Sequence, residues 1–216
     1  VSSDGAGALL QGISGDPSAT GPTVGTPASM IRRVALDFYD VVAPREWLSA
    51  DAEDEVAQHL SEASERWRSG DREGSIKLLN TYLEATPDDF DARQFHAILC
   101  AQLGEFEKMA EDAETMVALR GNQTGVYLWR SMARLLLDRI DGGLEDLATA
   151  GSMDPQSVWV KVLKGFALVQ ATRAMDALTY FDDALRGSPG SVVARLGRAL
   201  AQRSLGRHSD AIADAS

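Results

Sequence analysis

His96 and Cys100 stand four residues apart, the spacing that puts two side chains on one face of a helix. A Cys–His pair supports nucleophilic catalysis when the imidazole reaches the thiol and lowers its pKa. No orienting residue is evident beside this pair. Both members fall on the core-facing side of their helix, so the sequence reads them as buried core. His59 and His208 stand alone, without metal-ligand spacing, and read as surface residues. Gly5-Ala6-Gly7 lacks the third glycine of a dinucleotide loop and follows no strand. Asp88, Asp89 and Asp91 cluster where one helix ends and the next begins, and acids there favour the following helix N-terminus. The sequence thus nominates no catalytic residue, no cofactor and no metal site. The expected chemistry is recognition by apolar surface.

The elements that would carry such a surface repeat. Pro87, Pro155 and Pro189 lie on a 34-residue grid, and Gly70, Gly104 and Gly206 lie on another, offset by half a period. A period near ~34 marks stacked helix–turn–helix units, each needing its neighbours to bury its apolar face. The grid divides the chain into units 56–89, 90–123, 124–157, 158–191 and 192–216. Glycine suits the turn because it tolerates a positive φ after a helix. Where the glycine or proline marker is missing, Gly121, Asp138 and Thr172 stand instead. Proline closes the second helix of a unit because it cannot continue one.

Ahead of the array, residues 1–28 are rich in Gly, Ser, Thr and Pro and read as a flexible segment. Residues 29–49 form an extra helix and a connector, and 50–216 the repeat array. Thr26-Pro27 is a helix start, with Thr as cap and Pro in the first turn. Ile31, Val34, Phe38 and Val41 then recur at helical spacing, and Pro44 ends the helix. The first residue is Val1, and Ser216 falls inside a second helix, so the sequence reads as an excerpt of a longer chain.

Composition narrows the partners. Hydrophobic residues are 44% and charged residues 25% of 216, enough apolar content for a packed core. The net charge of −11 disfavours nucleic acid and anionic membrane. Residues 51–115 hold 17 acids and 6 bases, whereas 116–216 hold 10 acids and 12 bases, so a basic segment would be steered to the first half. No apolar run is long enough to insert in a membrane. One cysteine allows no intrachain disulfide and points to a reducing, cytoplasmic setting.

The residues around the grid resemble the tetratricopeptide repeat family. The last unit carries Ala194-Arg195-Leu196-Gly197-Arg198-Ala199-Leu200-Ala201, then Leu205-Gly206-Arg207 and Asp210-Ala211-Ile212. The fourth ends in Ala177-Leu178, Phe181, Ala184-Leu185 and Pro189. The family's helix-crossing slot takes a small residue, and Ala63, Ala97, Ser131, Gly165 and Ala199 fill it. The second-helix small slot holds Ser75, Met109, Gly143, Ala177 and Ala211, with Met109 the departure. His59, Glu62 and Arg66 stand where the family prefers large apolar side chains, so the first unit is degenerate. The resemblance spans residues 56–216. It implies an all-α fold: an α-solenoid of antiparallel helix pairs, preceded by the flexible segment and the extra helix.

It also implies a concave groove lined by the first helix of each unit. Its inward slots hold Leu128, Met132, Leu135 and Leu136, then Trp159, Val162, Phe166 and Val169, then Val193, Leu196 and Leu200. Aromatic anchors in a groove are common hot spots for a bound helix or peptide. The same side chains would serve equally as inter-repeat core or as a seat for the 27–43 helix. The slots of the family's carboxylate clamp hold Leu60, Ser64, Gln94 and Ile98, which do not fit an acidic C-terminal tail. The expected function is a scaffold or adaptor binding a protein or peptide partner in this groove. Two alternatives stay open: a regulatory or docking arm of a larger enzyme, and a secretion-type chaperone for an apolar client. Self-association through an exposed repeat end is a further expectation.

Overall fold

The computed structural model describes residues 25–42 and 55–215. Most of the expected flexible segment, most of the connector with Pro44, and Ser216 lie outside the described residues, as do the side chains of Phe38 and Val41. The described residues form α-helices and no strand. Helix α1 is Pro27–Val42. Five pairs follow: α2 Glu55–Arg68 with α3 Arg72–Ala85, α4 Phe90–Leu103 with α5 Phe106–Arg120, and α6 Thr124–Leu136 with α7 Ile140–Met153. The last two are α8 Val158–Gln170 with α9 Ala174–Gly187, and α10 Val192–Ser204 with α11 His208–Ala215. Each helix packs on its partner and on the next pair, the arrangement of an α-solenoid.

One backbone feature sets the period. Every intra-pair turn contains a left-handed residue, at Gly70, Gly104, Asp138, Thr172 and Gly206, with φ of 92°, 81°, 59°, 58° and 74°. These positions are 34 residues apart without exception. Asp138 and Thr172 therefore hold the turn that glycine holds elsewhere. Gly121 has φ −62° and closes α5 in the ordinary helical region, in the slot that proline takes in other pairs.

Helix starts follow from local chemistry. Thr26 Oγ1 accepts from the Ser29 amide at 3.2 Å as α1 begins at Pro27. Asp89 Oδ1 accepts from the Asp91 and Ala92 amides, both at 3.0 Å, and caps α4. Its other oxygen accepts from Tyr82 Oη at 2.8 Å, tying α4 back to α3. Burial and Asp89 nearby push the Asp91 carboxyl up, against the opposing pull of Arg120. Ser157 and Ser191 cap α8 and α10 in the same way.

The helices approach closely where the small slot falls. Ala63, Ala97, Ser131 and Ala199 are fully buried. At Gly165 and Gly197 an added Cβ would stand 2.5 and 2.3 Å from the Phe181 ring, so that ring fills the space between α8, α9 and α10. Phe166 meets it edge-on, centroids 5.2 Å apart. No helix among the described residues is long and apolar enough to cross a membrane.

Candidate functional site

The first helices α4, α6, α8 and α10 line one side of the solenoid, and α1 lies across all four. Its apolar stripe explains the seat. Ile31 and Val34 are wholly buried and Met30 nearly so. Burying side chains of this size contributes roughly 1.5–3 kcal/mol each. Polar contacts fix the ends: Arg203 on α10 donates to the Gly25 carbonyl at 3.3 Å, and Arg32 donates to the Gln102 carbonyl at the end of α4. The amino end of α1 thus sits at α10, and its middle reaches α4.

Of the groove residues named from the sequence, Leu128, Met132, Leu135, Val162, Phe166, Val169 and Leu200 are buried. Val193 is buried too, while Trp159, Leu196 and Leu136 remain half-buried. Phe166 turns toward Phe181, inside its own helix pair. The clamp slots Leu60, Ser64, Gln94 and Ile98 are all buried and offer no cationic surface.

A second arrangement joins the two helices of a pair. Asp146 on α7 is buried and held by α6: Arg130 donates at 2.6 Å to one oxygen, and Arg134 at 2.9 Å to the other. Arg198 on α10 donates to Asp214 at 2.6 Å and to Asp182 at 2.7 Å. These hydrogen bonds hold both Arg130 and Arg198 above the ordinary arginine value. At the same slots in α8 and α9, Lys164 lies 5.8 Å from the Tyr180 ring centroid, a cation–π contact. At those slots in α4 and α5 stand His96 and Asp112, with Nδ1 to Oδ2 at 2.6 Å. A rung of a basic or imidazole side chain facing an acceptor thus recurs at 34-residue spacing in four successive pairs. Its sequence signal was Asp112, Asp146 and Asp214, each 16 residues after a basic or imidazole side chain.

The rung supplies the orienting acid that the sequence reading lacked at His96 and Cys100. Cys100, His96 and Asp112 now stand in the order of a thiol triad. Their chemistry differs from one. Cys100 Sγ lies 3.6 Å from Nε2 and 3.8 Å from Nδ1, equally near both nitrogens, where an in-line hydrogen bond would favour one. Burial, then Asp112 and Glu105, push the thiol up to about 12. It carries a proton at neutral pH and has no exposed surface. A reactive cysteine needs the opposite surroundings.

Residues 163–216 match the family model described as tetratricopeptide repeat. No curated protein is close enough in sequence to match. Among solved structures, the chain is similar to a tetratricopeptide repeat protein from Parabacteroides merdae, with TM-score 0.68 and 16% identity, over 88% of this chain and 78% of that one. It is also similar to TTC0263, a thermophilic repeat protein of Thermus thermophilus, with TM-score 0.61 and 21% identity, over 72% and 86% of the two chains. MamA from Desulfovibrio magneticus gives TM-score 0.56 and 16% identity, over 78% and 99%. At these identities the likeness is one of fold. The sequence match and the shared architecture agree: residues 163–216 carry tetratricopeptide repeat sequence, and the described chain has the α-solenoid fold of such proteins.

Proposed function

We propose that this chain is a protein-interaction scaffold whose first-helix groove takes an amphipathic helix, with α1 as its internal occupant. Proteins of this fold generally mediate protein–protein contact; the groove and its ligand class are the finer reading. One observation carries it: α1 packs across α4, α6, α8 and α10 with Ile31 and Val34 buried. A helix presenting apolar residues at i and i+3 is therefore the shape the groove fits. A partner with the same stripe would compete with α1, and its affinity would be reduced by the fraction of time α1 is seated. The protonated, buried thiol supports a binding role without chemistry of its own. A reducing compartment such as the cytoplasm suits a free cysteine.

The test uses the full chain and a labelled peptide of residues 25–42. Ile31→Asp with Val34→Asp should unseat α1 and let the peptide bind, while the unaltered chain binds it weakly. Trp159→Ala in the unseated variant should weaken that binding. A folded, unseated variant that ignores the peptide would overturn the groove reading.

A further inference from the structure

We propose that His96, Cys100 and Asp112 form a binding site for one divalent transition-metal cation of the zinc class. Asp146 is faced by Arg130 and Arg134, two fixed positive charges on α6. The residues 34 positions earlier are Asp112, His96 and Cys100. The carboxylate is kept and both guanidinium groups are gone. In their places stand an imidazole and a thiol, two ligands of soft divalent metals. One such cation, less the thiol proton it displaces, adds one positive charge, which together with Arg93 matches the two arginines next door. Arg93 offsets part of the deficit, donating to Asp112 Oδ1 at 3.1 Å from a mostly buried position.

The geometry suits the exchange. One nitrogen, one sulfur and one oxygen of these residues lie within 4.8 Å of one another, and all three residues are buried. Tetrahedral bonds of about 2.0–2.3 Å hold donors roughly 3.3–3.7 Å apart. The sulfur–nitrogen distances of 3.6 and 3.8 Å are close to such an edge. The His96–Asp112 contact at 2.6 Å would open as the cation takes the place of the shared proton. Side-chain rotation of Cys100 and His96 must bring the sulfur into bonding range. Glu105 Oε2, 3.9 Å from Sγ, is a fourth donor at the solvent side, where it now pairs with Lys108 at 2.7 Å. Its half-exposed position gives the entry route.

Electrostatics point the same way. Asp112, Glu105 and Glu111 surround the thiol, and Lys108 is the cation that opposes them. These carboxylates favour a cation beside the sulfur, whereas burial, the larger influence on the thiol, does not. Binding sends the thiol proton to solvent, so affinity rises with pH.

The chain has one cysteine, so a thiolate–metal signal reports this site alone. The full chain, stripped with a chelator, is titrated with Co2+ and followed by its thiolate-to-cobalt charge-transfer absorption. The expected result is saturation at one equivalent, displacement by Zn2+, and loss of the band in Cys100→Ser. His96→Arg, which rebuilds half of the neighbouring rung, should weaken binding by more than about 100-fold with helicity intact. His96→Gln replaces it if the arginine unfolds the chain. A folded chain that gives no charge-transfer band with excess Co2+ overturns the proposal. So does a band that persists unchanged in either His96 variant.

Discussion

Thr172 holds a backbone shape that its own chemistry opposes. Its φ of 58° falls in the left-handed region, where a Cβ crowds the following carbonyl and a β-branched side chain fits worst. Glycine does the same job at three sister positions. Thr172→Gly should therefore stabilise the fold by about 1 kcal/mol, after the entropy that glycine loses on folding, as read by urea unfolding. Asp138→Gly should gain less, because Asp tolerates this region better. Cys100 carries a different residue-scale consequence. Its folded-state pKa of about 12 lies above the ordinary 9.0. The unfolded thiol loses its proton first as pH rises, so stability present below pH 9 is lost toward pH 12. The wild type should lose roughly 2 kcal/mol more than Cys100→Ala between pH 9 and 11, the slope steepening toward about 1.4 kcal/mol per pH unit, measured by denaturant midpoint. Equal slopes would show that the thiol titrates alike in both states.

At the scale of elements, burial decides which charge pairs matter. Asp146 is almost wholly buried beneath two arginines. Asp146→Ala leaves both guanidinium groups without their shared acceptor and should cost about 3 kcal/mol. Glu107 pairs with Arg139 at 3.0 Å, but both side chains are more than half exposed. Glu107→Ala should stay within about 0.5 kcal/mol, because solvent screens the pair. Thermal or urea unfolding of the two variants tests the contrast. These rungs also mark where sequence reading stopped. The turns were legible because glycine and proline punctuate the chain at a fixed period, and Asp138 and Thr172 could be placed by that period alone. The small slot was legible because close helix approach demands small side chains. The rungs were not, because Arg130 and Asp146 look like ordinary surface charges until two helices bring positions 16 apart together. Asp112 escaped notice beside His96 and Cys100 for the same reason.

At the scale of the whole molecule, α1 ties the two ends of the described chain, since residue 25 meets residue 203. The register placed the first-helix strip, and the 27–43 helix was one of three occupants the sequence left open for it. Apolar spacing in α1 says that it must bury a face without saying where. The structure seats it across α4, α6, α8 and α10, with Ile31 and Val34 wholly buried. Burial of Ile31 and Val34 contributes roughly 3–6 kcal/mol, set against the entropy of ordering α1. Replacing both with Asp places two charges against that surface and should release α1 without melting the helix pairs. Hydrogen exchange gives the direct reading. Amides of residues 30–42 should lose protection by at least about 100-fold, while those of α6 to α9 keep theirs, because the rungs and the Phe181 contact lie within and between the pairs. Binding of a hydrophobic dye should rise as the strip opens. If α6 and α8 lose protection together with α1, the helix is an integral layer of the core, and no partner could displace it without unfolding the array.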